Sequence, residues 1–179
     1  VSVSGGDMRI ILIVAAVAVF SSVALGQQDY RLVGKLPAPM MKLEDLSGSK
    51  FDTSAFRGKL VVYNLWFVGC PPCMEEIPKL NEIVNEFAGK DVEFVALSTS
   101  DAVDINKFIA KTPFKYRMVP SAGREMLINF GQAGKDGSLN VPFPTHIVVS
   151  RAGFIEYRET GLKGVEGVRE ILRRETAPK

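Results

Sequence analysis

Hydrophobic and polar positions change period several times along this chain, and each change marks an element. Leu60–Trp66, LVVYNLW, is a continuous β-favouring stretch, the pattern of a strand covered on both faces. From Glu75 the apolar residues fall at Ile77, Leu80, Ile83, Val84 and Phe87, the spacing of one helix face, and Gly89 ends it. Val92–Leu97 (VEFVAL) predicts a second strand, Val103–Ala110 a short helix and Arg124–Phe130 a weaker one. Thr145–Val149, a turn at Arg151-Ala152-Gly153 and Phe154–Tyr157 predict an antiparallel hairpin, and Val165–Leu172 a closing helix. Nearer the start, Leu43–Phe51 (LEDLSGSKF) carries Ser47-Gly48-Ser49 between two short arms, a hairpin signal. Strands alternating with helices before a late hairpin imply an α/β domain: a central mixed β-sheet flanked by helices, with an N-terminal β-hairpin extension.

A different pattern occupies the first 26 residues. Ile10–Phe20 is unbroken apolar, Arg9 precedes it, and Ser21, Ser22, Val23, Ala24, Leu25 and Gly26 follow. A basic residue, an apolar stretch of roughly 7–15 and then small residues is the order of a secretory signal, with cleavage expected after Gly26. The alternative is an uncleaved membrane anchor, which the two serines weaken because a span needs about 20 apolar residues. Val1–Asp7 precede Met8 and are read as upstream residues outside the folding unit. Residues 8–26 are then the signal, 27–36 a linker and 37–177 the domain. The lead from Gln27 to Pro39 has no sustained period and is expected to connect rather than pack.

Composition acts mainly by exclusion. Of 179 residues, 46% are hydrophobic and 23% charged, which rules out a disordered or fibrous chain. The 22 Lys+Arg against 20 Asp+Glu leave a net charge of +2, too little for a polyanion-binding surface, so nucleic acid is not an expected partner. Two cysteines are too few for a disulfide-built scaffold. In an exported chain they would meet oxidising surroundings, so their chemistry is local.

Cys70-Pro71-Pro72-Cys73 stands where the buried strand meets the helix. A thiol at a helix N-terminus faces free backbone N–H groups and the positive end of the helix dipole, and both favour the nucleophilic thiolate. Cys70 is therefore the expected attacking sulfur, and Cys73, about one turn further on, the resolving one. Pro71 suits a first helical turn, where a missing N–H costs nothing. Because neither Pro71 nor Pro72 donates, the Cys70 thiolate depends on the N–H of Cys73 and later residues. The pair is accordingly expected to be reducing rather than strongly oxidising. Two other readings stay open here. A structural zinc site needs four ligands, and besides the two cysteines the chain has one histidine, His146, far away in sequence. A purely structural bridge closes too small a loop to restrict the unfolded chain much.

With Tyr63-Asn64-Leu65-Trp66 before the motif, Met74-Glu75-Glu76-Ile77-Pro78 after it, and Phe143-Pro144-Thr145 leading into a late strand, the chain from about Pro37 onward resembles the TlpA/ResA-type thioredoxin-like thiol:disulfide oxidoreductases of bacterial cell envelopes, within the redoxin/AhpC-TSA-like superfamily. The resemblance implies a thioredoxin-like fold and a cis proline at Pro144 packed beside the cysteine pair. Such a bond would hold the backbone of Phe143 open as a short edge for a substrate strand. The resemblance also makes Glu76 the buried acid that takes and returns the Cys73 proton. Phe143, Pro144, Pro72 and Trp66 form the implied substrate-binding set, a core aromatic of the strand being the alternative for Trp66. One departure is Gly69, where many members have Trp, so an aromatic shelf is missing and the Cys70 sulfur is expected to be more open. The stretch Gly131–Leu139 is longer than the usual connection and is expected as an insertion over the site.

The implied activity is that of an exported oxidoreductase reducing disulfides of envelope proteins, with cytochrome c maturation the substrate class the family suggests. Its partners would be those disulfide-bearing proteins and an upstream membrane thiol reductant. No cofactor is expected beyond the Cys70–Cys73 disulfide, and no metal. The expected protein is a periplasmic monomer, on the membrane only if the N-terminal segment is uncleaved. A thiol peroxidase shares the fold but normally carries Thr three residues before its peroxidatic Cys, where this chain has Phe67. A non-catalytic copper or partner-binding module would use Cys70 and Cys73 as soft ligands. His146 is expected to be a packed or edge residue of the strand after Pro144, since an exchange served by Glu76 needs no imidazole. Arg169, Arg173 and Arg174 are expected on a solvated helix face.

Overall fold

The computed structural model describes residues 36–178; the upstream stretch, the signal or anchor, and all of the expected linker except Leu36 lie outside them. Lys42–Glu44 (β1) pairs antiparallel with Lys50–Asp52 (β2), Leu43 opposite Phe51. The Asp45 carboxylate closes the turn by accepting from the Ser47 hydroxyl and from the N–H groups of Ser47 and Ser49. This is the hairpin extension that Ser47-Gly48-Ser49 predicts. A 3-10 turn over Thr53–Phe56 then leads into the main domain.

The main strands and helices follow as β3 (Leu60–Trp66), α1 (Pro71–Glu86), β4 (Val92–Ser98), α2 (Ala102–Ile109), β5 (Arg117–Val119) and α3 (Gly123–Phe130). After them come the short strands β6 (Gln132–Ala133) and β7 (Leu139–Asn140), then β8 (Thr145–Val149), β9 (Ile155–Thr160) and α4 (Gly164–Thr176). Five strands form one sheet in the order β5-β4-β3-β8-β9. β3 and β4, and β4 and β5, are parallel, which helical crossovers α1 and α2 make possible. β8 runs antiparallel to both β3 and β9, with a tight turn joining it to β9. The sheet is therefore mixed, and β3 is central with all seven residues buried.

Alternation along β3 sorts the core into two layers. Leu60, Val62 and Trp66 face α1, α2 and α4, packing with Leu80, Ile105 and Val168. Val61, Tyr63 and Leu65 face the other way, against Met126 and Phe130 of α3 and Leu43 of the hairpin. Asn64 belongs to the first face, the one polar residue that β3 places there. No helix among the described residues is long and apolar enough to cross a membrane.

Three features depart from the sequence expectations, and Gly131–Leu139 adds structure to one. β5 escapes a period-based reading because it is three residues long, with Pro113 and Pro120 nearby; only its edge pairing with Val95–Leu97 of β4 makes it a strand. The lead from Leu36 to Pro39 packs as well as connects: Pro37 bridges Phe154, Ile155 N–H donates to the Leu36 carbonyl, and Ala38 N–H donates to that of Gly153. A proline is tolerated there because the edge of a sheet does not need its N–H. Gly131–Leu139 enters a small ribbon, β6 with β7, anchored to α3 and β9 through Arg158, which donates to the Phe130 carbonyl and, in the amide orientation that satisfies both groups, to Gln132 Oε1. Finally, the α4 arginines are not merely solvated. Arg169 lies 3.3 Å from Glu82 and 3.5 Å from Glu86, and Arg173 also pairs with Glu86, tying α4 to α1.

Candidate active site

The end of β3 places the cysteines. Its last residue, Trp66, accepts from Thr99 N–H, and Val68 N–H donates to Ser100 Oγ at 2.9 Å, so the loop 67–69 is strapped to the end of β4. Gly69 then takes φ +92°, a conformation side chains rarely adopt, and turns the chain into α1. Cys70 is the N-cap of that helix, with Pro71 and Pro72 in its first turn. Cys73 N–H points at Cys70 Sγ, 3.3 Å away. This is the donor that two consecutive prolines leave available. Cys70 and Cys73 are joined by a disulfide with an S–S distance of 1.99 Å.

The segment 142–144 leads into β8, the neighbour of β3 in the sheet. The Phe143–Pro144 bond is cis, at the position the resemblance implies. Thr145 Oγ1 donates to the Pro142 carbonyl at 2.7 Å, and Gly161 N–H donates to that of Pro144 at 2.8 Å, which fixes the loop. Among the described residues neither the N–H nor the carbonyl of Phe143 makes a backbone hydrogen bond. The Phe143 ring meets Phe67 edge-on at 5.2 Å, and both rings pack against the cluster containing the cysteines. Pro72 is half-buried at the helix head.

Two expectations are corrected here. Trp66 does not face a substrate. It is fully buried, its ring 5.5 Å from both Phe108 and Phe114, because its place in β3 directs it under α1 and α2. Nor is the Cys70 sulfur opened by Gly69: Cys70 is 3% exposed, and Phe67 and Phe143 supply aromatic surface from elsewhere in the chain.

Behind the cysteines lies a polar group of three side chains. Glu76, one turn after Cys73 on α1, is buried. Its Oε1 accepts from Asn64 Nδ2 at 2.9 Å, and its Oε2 lies 3.1 Å from His146 Nε2. Asn64 Nδ2 is also 3.4 Å from His146 Nδ1. His146 is fully buried, packed as expected but bonded to the acid instead of merely filling space. Its signal in the sequence was a polar residue inside the apolar run THIVV, matching Asn64 inside LVVYNLW; what the sequence lacked was the register that sets them opposite each other. Tyr116 is buried in the same layer, and burial first, then the nearby Glu76 charge, push its phenol well above the ordinary value. Among the described residues no three His, Cys, Asp or Glu side chains are grouped as metal ligands.

Two bonded cysteines at the head of a helix, in a mixed sheet with a cis proline before β8, are the parts that a disulfide exchange needs. With the relatives that follow, they place the protein among the thioredoxin-like thiol:disulfide oxidoreductases. Residues 33–172 match the Redoxin family, and the chain belongs to it as a TlpA/ResA-type member. It is 28% identical to the thiol-disulfide oxidoreductase ResA of Bacillus thuringiensis subsp. konkukian over 145 residues, covering 80% of this chain and 79% of that one. Among solved structures it is similar to the thioredoxin domain of a Bacteroides vulgatus thiol-disulfide oxidoreductase, at 26% identity and TM-score 0.62 over 76% of this chain and 94% of that one. A thiol:disulfide interchange protein of Chlorobium tepidum TLS aligns with TM-score 0.67 at 20% identity over 79% and 97% of the two chains, a likeness of fold.

Proposed function

We propose that the protein is an exported reductant of disulfides in other envelope proteins, working by dithiol–disulfide exchange through its CPPC motif. Cys70 is the attacking sulfur. The observation that carries this assignment is the convergence on Cys70 Sγ of the Cys73 N–H and the N-terminus of a 16-residue helix, both of which stabilise a thiolate. Cys73 resolves the mixed disulfide, and Glu76, buried one turn further on, takes the proton that Cys73 must lose. The backbone of Phe143, which makes no backbone hydrogen bond among the described residues, receives the substrate segment as a short added strand, with Pro144 and Pro72 as further proposed contacts. The disulfide itself is the only redox group required.

The secretory pattern of residues 8–26 and the ResA relatives support a periplasmic place of action, with reduced cysteines supplied by a membrane thiol reductant. Apocytochrome c, whose haem-binding cysteines must be reduced, is the substrate class this reading favours.

The test is a Cys73→Ala variant expressed with its leader and isolated from the cell envelope under acid quench. The expected result is a mixed disulfide on Cys70 that dithiothreitol releases and mass spectrometry identifies as an envelope protein with paired cysteines. Wild-type protein should reduce insulin, and Cys70→Ala should not. Insulin reduction by Cys70→Ala at the wild-type rate would overturn the assignment.

A further inference from the structure

The bonding of Glu76 and the tautomer of His146 determine one another. Glu76 is 1% exposed and His146 0%, so a carboxylate here has only the protein to stabilise it. Its two oxygens have one partner each: Asn64 Nδ2 on Oε1 and His146 Nε2 on Oε2. Asn64 Nδ2 also faces His146 Nδ1. An amide nitrogen only donates, so Nδ1 is an acceptor and the ring proton sits on Nε2, aimed at the carboxylate. Each contact in this ring then has one donor and one acceptor, and the imidazole carries a single ring proton.

The ring is confined from every side. Glu76 comes from α1, Asn64 from β3 and His146 from β8. The first turn of α4 closes on the imidazole, where a Cβ at Gly164 would collide with His146 Cδ2. The other ionisable groups around it are Cys73 on α1, the buried Tyr116 phenol on the β5 side, which feels the Glu76 charge, and Glu159, the β9 register partner of His146, which is exposed. In the disulfide form, none of these makes a second hydrogen bond to Glu76 Oε2.

We propose that His146 is a positioning residue of the exchange reaction: through Nε2–H it holds Glu76 as an oriented carboxylate, the form that can accept the Cys73 proton. The inference rests on the proposed role of Glu76. In the resolving step the Cys73 S–H bond breaks and its proton passes to a Glu76 oxygen. The Cys73 sulfur pair then attacks Cys70 Sγ, the Cys70–Cys73 bond forms, and the bond from Cys70 to the substrate sulfur breaks. The substrate leaves as a thiolate and takes up the proton that Glu76 gives back. Two electrons have moved from the cysteine pair to the substrate disulfide, and His146 keeps its Nε2 proton throughout. Its donor favours the anionic carboxyl at the start and at the end, so Glu76 is reset after each turnover.

Ellman's disulfide separates the steps. Reduced protein mixed with it in stopped flow releases one thionitrobenzoate when Cys70 attacks and a second when Cys73 resolves. His146→Leu should leave the first release unchanged, slow the second about tenfold or more near neutrality, as expected for losing a hydrogen bond to a charged group, and displace its pH profile to higher pH. His146→Gln, which keeps an N–H donor, should recover most of the rate. A second release in His146→Leu that superimposes on wild type at every pH would overturn the proposal. So would a slowed release with an unmoved profile that Gln does not rescue, the mark of a merely structural role. Glu76→Gln separates the two readings: if it leaves the second release unchanged, the role of Glu76 itself fails, whereas a slow Glu76→Gln with a wild-type His146→Leu removes His146 alone. Should the leucine variant not fold, the wild-type protein still decides. His146 is the only histidine, so ring-15N labelling gives one imidazole, expected protonated on Nε2; a ring protonated on Nδ1 alone would overturn the assignment.

Discussion

Asn64 and His146 are register partners across the antiparallel β3–β8 pair, and both meet Glu76 on the face of the sheet that α1 covers. Two polar residues at the centre of the most apolar strands would be costly if unpaired, since a buried polar group without a partner loses about 1–3 kcal/mol. Here each meets the acid that stands one helical turn beyond Cys73. The acid is thus held from two strands of the sheet, and nothing in this layer reaches the surface.

Replacing Glu76 with Gln keeps the shape of this layer and removes the proposed proton acceptor. Disulfide exchange should slow by about 10²–10⁴, the usual share of a general base, while far-UV circular dichroism stays that of the wild type. Insulin reduction followed across pH is the measurement, and an unchanged rate profile would remove Glu76 from the mechanism.

The reduction potential should lie well below about −120 mV, the value of a strongly oxidising pair whose reduced form is stabilised. The physical reason is that Pro71 and Pro72 withhold two donors from the Cys70 thiolate and leave the Cys73 N–H as the first available. Equilibration with glutathione buffers, read by alkylation of the free thiols, measures it directly. A value near that of the oxidants would show that helix-dipole stabilisation outweighs the missing donors.

Gly164 sets the distance between α4 and the His146 ring. Adding a methyl group with Gly164→Ala displaces either the imidazole or the helix, at a cost of about 1–3 kcal/mol typical of an overpacked core. Urea unfolding should show the loss, and the histidine ring signals should shift with it. Wild-type stability together with unmoved signals would mean that the first turn of α4 stands further from the ring.

Tyr63 gives the protein an alkaline limit. Burial raises its phenol from 10.0 to about 12 in the folded state, so above pH 10 the unfolded chain releases this proton before the folded one does. The contribution to stability is complete below about pH 10 and is lost as the pH climbs through about 12. Between about pH 8 and about pH 11, urea unfolding of wild type should therefore fall more steeply than that of Tyr63→Phe. Parallel curves for the two proteins would assign the alkaline loss to other groups.

Most regular elements were legible because their periods are local. The helix after Cys70, the strand before it and the β8–β9 hairpin all lie within a few residues of the sequence expectation. β5 was not legible, since three residues between prolines carry no period and become a strand only on the edge of β4. Within the site, the cysteines, Glu76 and Pro144 were marked by short motifs. Trp66 was marked by the same motif but misassigned, because a motif does not say to which face of β3 a side chain turns.

The sequence by itself determined the chemistry available: one thiol pair at a strand–helix junction, two prolines that limit its donors, and an acid one turn away. The first two follow from spacing along a single stretch of chain, and the acid was picked out by the family resemblance of that stretch. The tertiary structure alone decided what surrounds that acid. Asn64 and His146 are 82 residues apart and meet because β8 returns antiparallel beside β3, and sheet register is a property of long-range pairing that no local period records.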